Sequence, residues 1–244
     1  MDLQNKFALV TGGAHRIGKA IALALARSGA HVAITYNTSI DDAPLTLAEI
    51  RQSGVKAAAF QCDQTKLESI DALFAALHQE FDHLDILINC AAIMERQPAL
   101  EVSPADWERV INTNLRGPFF IAQAAAQWMR ASGQAGSIIN LADLSALQPW
   151  PGYITHVISK SGLVAMTQTL ALALAPTIRV NAIAPGTILK PDDWVESRWQ
   201  QVVETLPLKH SGSVNEVAEA VLFCLRSDFM TGQVIVLDGG RSLK

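Results

Sequence analysis

Hydrophobic residues in this chain fall into short continuous runs rather than alternating with polar ones. Such runs cover Phe7 to Thr11, His31 to Tyr36, Ala57 to Gln61, Leu84 to Asn89, Gly136 to Leu141, Ile178 to Ile183 and Gln233 to Leu237. A strand reads this way when helices cover both faces of its sheet. The stretches between them carry helical periodicity and predict helices over Gly18 to Ser28, Asp42 to Ser53, Leu67 to Phe81, Ala105 to Ala131, Gly152 to Ala175 and Asn215 to Leu225. Strand and helix in regular turn, joined by right-handed crossovers, predict an α/β fold with a mostly parallel, doubly wound sheet flanked by helices. One segment, Gly186 to Trp199, has weak pattern. Pro191 and the Asp192-Asp193 pair there predict a loop with at most a short helix, and residues 186–212 form the candidate substrate loop. With no internal repeat and no low-complexity linker, residues 1–244 form a single domain, since α/β units often run to about 250 residues.

Composition narrows the partners. Of 244 residues, 50% are hydrophobic and 17% charged, enough apolar material for a sizeable core. The net charge of -4 and the lack of a basic stripe give nucleic acid or an anionic membrane no electrostatic footing. No uninterrupted apolar run reaches the ~18 residues of a membrane span, and the N-terminal MDLQNKFALVTGG reads as a polar lead into a strand, not a signal peptide. Cys62, Cys90 and Cys224 are odd in number and far apart, which fits neither a disulfide framework nor a metal site. They read as small buried hydrophobes in a reducing cytoplasm. The six histidines are scattered and form no HxxxH or HExxH pattern, so no metal is expected.

The first strand-to-helix turn, Thr11-Gly12-Gly13-Ala14-His15-Arg16-Ile17-Gly18, carries candidate chemistry. Glycines there permit a tight turn and let backbone N–H groups approach a pyrophosphate at a helix N-terminus, the dinucleotide-binding device of Rossmann domains. Arg16 adds a cation. A carboxylate closing the second strand would hold an adenosine ribose hydroxyl and favour NAD. Here the strand closes on Tyr36-Asn37-Thr38-Ser39. A 2′-phosphate is therefore tolerated and can take hydrogen bonds from Asn37, Thr38 and Ser39, which points to NADPH.

Several motifs in order resemble the short-chain dehydrogenase/reductase family over about residues 5–241. Thr11-Gly12 with Gly18 resembles its glycine turn, and Asp63 its adenine contact. Asn89-Cys90-Ala91-Ala92 is similar to a segment that shapes the cofactor pocket. Asn114 matches the helix asparagine of a proton relay, and Asn181 to Gly186, with Pro185 and Ile188, the stretch that meets the nicotinamide. Leu237-Asp238-Gly239-Gly240 resembles the C-terminal strand signature. Within the family the chain is most similar to pteridine reductases, through Arg16 in place of the middle glycine and Asp143 in place of the usual serine. That resemblance implies a cytoplasmic, homotetrameric, NADPH-dependent reductase of a small organic molecule, a pterin or a carbonyl compound. Ala122 to Ala126 and the apolar helix from Leu163 to Ala175 would then pack across a symmetric interface. Two positions depart from the pattern. Ile93 and Met94 stand where pteridine reductases place a stacking aromatic, a role open to Trp150 or Tyr153. His156 stands where the family's Tyr-x-x-x-Lys helix has tyrosine, four residues before Lys160.

Residues 153, 156 and 160 share one helix face. Lys160 is then placed to hold the nicotinamide ribose. For the proton donor three readings stand: His156 paired with Asp143, Tyr153 one turn earlier, or a site that has lost its acid and only binds cofactor, as a sensor or partner subunit. Histidine's reference pKa of about 6.5 suits proton delivery near neutral pH. Among the five tryptophans, Trp107 and Trp128 read as core or subunit contacts, and Trp194 and Trp199 fall in the substrate-loop region. His15 reads as an exposed residue of the phosphate turn. His210 is assigned no role.

Overall fold

The computed structural model describes residues 1–133, 135–191 and 194–244. Among these residues seven strands form one parallel sheet: β1 (Phe7–Val10), β2 (His31–Tyr36), β3 (Ala57–Gln61), β4 (Ile86–Asn89), β5 (Gly136–Leu141), β6 (Ile178–Pro185) and β7 (Val234–Leu237). Their order across the sheet is β3-β2-β1-β4-β5-β6-β7. The chain winds outward from β1 to β3, then returns to the other side of β1 as β4. The two neighbouring crossovers thus leave in opposite directions, and a crevice opens between them at the carboxyl ends of β1 and β4.

Among the described residues, eight α-helices cover the sheet: α1 (Arg16–Arg27), α2 (Asp42–Arg51), α3 (Leu67–Glu80), α4 (Pro104–Ile111), α5 (Gly117–Ala131), α6 (Ile154–Leu174), α7 (Glu196–Thr205) and α8 (Val214–Arg226). Because strand side chains alternate faces, each strand feeds two separate cores. Val10, Ile34, Ile88 and Ile183 meet Ile21 and Leu25 of α1 with Val221 and Leu225 of α8. Leu9, Ala33, Leu87 and Val180 point the other way, into Leu73 and Leu77 of α3 and Ile121, Ala125 and Met129 of α5. Strands with two covered faces must be apolar throughout, which is why their sequences do not alternate.

The structure differs from the sequence reading in three places. The single helix expected over 105–131 is broken by a π-helical turn at Asn112–Arg116. Pro118 has no amide to donate to the carbonyl four residues back, and a Cβ on Gly117 would lie 2.5 Å from the Gln64 carbonyl oxygen. The wider turn carries Asn114 into the interior. In the weakly patterned segment, a full helix, α7, starts at Glu196, while the Asp192-Asp193 pair lies outside the described residues. The alanines at 122, 125 and 126 do not form an outer surface: they are buried against the second core, because small residues let α5 lie close to the sheet. Finally, α6 is long and apolar enough on average to cross a membrane by length and composition, although polar residues interrupt it. It packs along β6 and buries His156, Ser159, Lys160 and Thr167.

Candidate active site

A cleft of about 1020 Å³ occupies the crevice at the carboxyl ends of the strands. One end is walled by the glycine turn. Gly12 adopts φ +63°, and a Cβ there would sit 2.9 Å from the Ala91 Cα. A Cβ on Gly18 would meet the Gly12 carbonyl at 2.2 Å. Only bare backbone fits, which brings the start of α1 to the cleft, where first-turn amides lack intrahelical acceptors. Arg16 holds φ 53°, a left-handed conformation that ordinarily favours glycine. Gly13 faces inward instead, against Ile34.

Gly12, Arg16, Ile17 and Gly18 line this end, followed by Tyr36, Asn37, Thr38 and Ser39 from the end of β2. No carboxylate from that strand end reaches the cleft: Asp41 and Asp42, at the start of α2, are not among its lining residues. His15, read from sequence as merely exposed, also lines the cleft, with Nδ1 3.3 Å from the Ser39 hydroxyl. Asp63 lines it as well. The Thr65 hydroxyl and amide donate to its carboxylate at 2.7 and 3.1 Å, and with Lys66 they hold its pKa below the ordinary carboxylate value.

Three of the sequence candidates stand behind the wall rather than on it. The Thr11 hydroxyl accepts the amides of Cys90 and Ala91 at 2.9 and 3.1 Å, tying β1 to the loop after β4. Asn89 donates to the Asn140 side chain at 2.9 Å inside the sheet. Asn114 brackets Ile93, accepting from its amide and donating to its carbonyl, both at 2.8 Å, and also donates to the Ser159 hydroxyl at 3.1 Å. Gln64, which sequence reasoning missed, donates to the carbonyls of Ala91 and Thr113.

At the far end stand Asp143, His156 and Lys160. Asp143 follows β5, and its Oδ1 accepts the Ser145 amide at 2.7 Å. His156 and Lys160 lie on α6. The start of α6 is stitched to the loop after β4 by the Gln97 amide, which donates to the Gly152 carbonyl, and by the Thr155 hydroxyl, which donates to Gln97. His156 is 3% exposed. Its Nδ1 is 3.2 Å from the Ile93 carbonyl. A carbonyl only accepts, so Nδ1 carries a hydrogen in this arrangement. Nε2 is buried without a hydrogen-bond partner, 3.9 Å from Asp143 Oδ2, an ion-pair separation too long for a hydrogen bond. Lys160 Nζ donates to the Leu141 carbonyl at 2.6 Å, and burial lowers its pKa against the opposing pull of Asp143. Burial raises the Asp143 carboxyl, but the neighbouring imidazole and the Ser145 amide outweigh it, and the net shift is downward. Burial pushes the Cys90 thiol up to about 11, so it stays a thiol at neutral pH.

Beyond these residues lie Tyr153, Trp150, Trp194, Trp199, Ile93 and Met94. Trp128 is core, stacked on His78, and Trp107 is half-exposed outside the cleft. His210 is exposed, as is Leu208 two residues before it. Arg241, Arg96 and Arg198 also line the far end, and no sequence pattern announced them. Among the described residues no three His, Cys, Asp or Glu side chains gather as a metal-ligand set.

A parallel sheet in this strand order, with a glycine turn opening its first helix and a cleft at the switch point, defines a Rossmann-type domain. Residues 12–242 match a family profile described as enoyl-(acyl carrier protein) reductase. Glucose 1-dehydrogenase 2 of Bacillus subtilis is 36% identical over 250 residues, covering 99% of this chain and 96% of the relative. A 3-oxoacyl-[acyl-carrier-protein] reductase of Staphylococcus epidermidis is 35% identical, with 97% and 98% covered. The structure of alternative dihydrofolate reductase 1 of Brucella suis, in complex with NADP, superposes with a TM-score of 0.93 at 33% identity, covering 100% of this chain and 97% of that one. The chain belongs to the short-chain dehydrogenase/reductase family, whose members are oxidoreductases that bind a nicotinamide dinucleotide.

The lowered Asp143 pKa makes a stability prediction. Its contribution is fully present above the unfolded-state carboxylate value of about 3.9 and is lost as pH falls through the lower folded value. Urea unfolding of Asp143→Asn should therefore show a midpoint that falls less steeply than wild type below about pH 4. Identical acid limbs would mean that Asp143 is not stabilised as an anion.

Proposed function

We propose that this chain is an NADPH-dependent reductase that transfers a hydride to a small organic substrate, a carbonyl compound or a pterin, with His156 as the proton donor. The observation that carries this reading is His156 Nε2: a buried ring nitrogen without a partner, beside a carboxylate, on a residue that lines the cleft. A buried polar atom left without a protein partner is costly, and a ligand atom placed there relieves the cost.

The residues present suit the cofactor. Bare backbone at Gly12 and Gly18, with Ile17 and the Arg16 guanidinium, would hold the pyrophosphate. Asn37, Thr38 and Ser39, with His15 beside them, would hold the 2′-phosphate, and no carboxylate from that strand end opposes it. Asp63 and Ala91 would flank the adenosine half, and Lys160 the nicotinamide ribose. Pro185, Gly186 and Ile188 would wall the nicotinamide. The NADP complex of the Brucella suis protein supports the same choice of cofactor.

When bound, the dihydronicotinamide supplies the hydride with its two electrons. His156 supplies the proton from Nε2 to the substrate oxygen or nitrogen that gains the electron pair. Nδ1–H stays on the Ile93 carbonyl, so the ring keeps its orientation in both protonation states. Asp143 Oδ2, 3.9 Å from Nε2, is the carboxylate that faces the ring. Asn114, bonded to both polar backbone groups of Ile93, positions the carbonyl that positions His156.

We also propose a homotetramer acting in the cytoplasm. An apolar groove of about 480 Å³ runs between α5 and α6, lined by Leu115, Phe119, Phe120, Ala165, Met166 and Leu170. Together with Ile158 and the 85%-exposed Leu172 it forms an outer face suited to a second copy of the chain.

Three measurements test these readings. With NADPH and a panel of carbonyl and pterin substrates, wild type should turn over. His156→Ala should lose ~10²-fold or more in kcat, while Tyr153→Phe should stay near wild type. A large loss only in Tyr153→Phe would move the donor to Tyr153. No wild-type turnover, with activity appearing in His156→Tyr, would make the chain a cofactor-binding protein instead. By calorimetry NADPH should bind at least ~10-fold more tightly than NADH, about 1.4 kcal/mol, and Asn37→Asp should reverse the preference. Light scattering at micromolar concentration should give a multiple of the 26.3 kDa chain mass; the monomer mass itself would refute the assembly.

A further inference from the structure

Among the described residues, the lining of the far end of the cleft carries more cationic side chains than carboxylates. Glu95 is taken by Arg109, which reaches both of its oxygens, and Asp143 is shared with His156. The remaining lining cations there, Arg96, Arg198 and Arg241, have no carboxylate within 4.0 Å among the described residues.

Arg241 is the informative one. It opens the short 3₁₀ turn after β7, and the polypeptide brings it back over the cleft beside Asp143. Its guanidinium lies over the Trp150 ring, 4.8 Å from the centroid, and one Nη donates to the Thr187 hydroxyl at 3.1 Å. Those contacts hold the plane of the group and use one of its five N–H donors. The residue is half-buried, and burial lowers its pKa, the mark of a cation short of solvent. A half-buried charge with an oriented fork, with Asp143 and Asp238 near but no described carboxylate within 4.0 Å, is short of a direct anionic partner that a bound carboxylate would supply. Independent signs of a ligand stand alongside it. His156 Nε2 is more than nine-tenths buried and unpartnered, and Trp150 Nε1, on the ring beneath Arg241, is also buried without a partner. Arg198, stacked on Trp194 at 3.9 Å, extends the positive face toward the rim.

We propose that Arg241 reads an acid group of the substrate, so that the preferred substrate is an oxo acid: a carbonyl compound whose carboxylate meets Arg241 while its carbonyl oxygen meets His156. This deepens, and rests on, the reductase reading. Arg241 acts in recognition and takes no part in proton or hydride transfer.

The test compares oxo acids with their methyl esters, chain length by chain length, using NADPH with wild type, Arg241→Met and Arg241→Lys. Wild type should prefer the acid by at least ~10-fold in kcat/KM, mostly through KM. In Arg241→Met that ratio should collapse toward one, and Arg241→Lys should recover part of it, because a charge remains without the fork. Equal use of acid and ester by wild type, or an acid preference that survives in Arg241→Met, would overturn the proposal. A loss of NADPH affinity in Arg241→Met would also overturn it, by assigning the guanidinium to the cofactor's phosphates. If nothing is turned over, the reductase reading fails separately. Calorimetry of the NADP-loaded protein then decides the present point: acids should bind more tightly than esters in wild type only, and equal binding would refute the assignment.

Discussion

The backbone of Gly12 and the backbone of Ala91 meet with no room for a side chain between them, and the cleft depends on that contact. β1 and β4 are neighbours in space although three helices and two strands separate them in sequence. Their carboxyl ends must diverge to open a crevice, yet stay joined enough to hold its walls still. The Thr11 hydroxyl resolves this by accepting two successive amides from the loop that follows β4. Each such bond contributes only about 1 kcal/mol net, but leaving the amides unpaired costs more. The loop is therefore pinned where it leaves the sheet.

Everything at the reacting end hangs from the same loop. Gln64 holds Ala91, Asn114 holds both polar groups of Ile93, and Gln97 holds the first turn of α6. His156 takes its orientation from the Ile93 carbonyl, so a ring on one helix is aimed by a backbone group on another element. The π-helical turn at Asn112–Arg116 belongs to this chain of contacts, since it is what lowers Asn114 into the interior. Such turns often mark functional positions because they exchange helical regularity for one placed side chain.

Burial sets the charge balance. Lys160 and Arg241 both sit with lowered pKa values, and both feel Asp143, which carries its charge below the ordinary carboxylate range. One carboxylate thus stands among a lysine, an arginine and an imidazole, while the Cys90 thiol stays neutral. An interior so weighted toward cations favours anionic ligands on both sides of the reacting atoms. That agrees with a phosphate-bearing cofactor at the glycine turn and a carboxylate-bearing substrate at the tryptophans.

Much of this was legible in the amino-acid order. Continuous apolar runs reveal strands covered on both faces, because a parallel strand has no wet side. The glycine turn is readable because Gly12 and Gly18 sit where any Cβ would strike backbone, a constraint local to one loop. Residues 153, 156 and 160 could be put on one face by helical spacing alone. Helical spacing does not say what faces His156, and only the packing of α6 against the end of β5 sets Asp143 3.9 Å from it. Nothing in the sequence marked Asn114 as a bracket for Ile93, nor the alanines of α5 as core, because the direction a helix faces is decided by what it packs on. Arg241 is the clearest case. It lies 98 residues from Asp143 in the chain, near the C-terminus, in a stretch with no periodicity. Its place in the cleft comes from β7 closing the edge of the sheet, and a tertiary return of that kind leaves no local pattern to read.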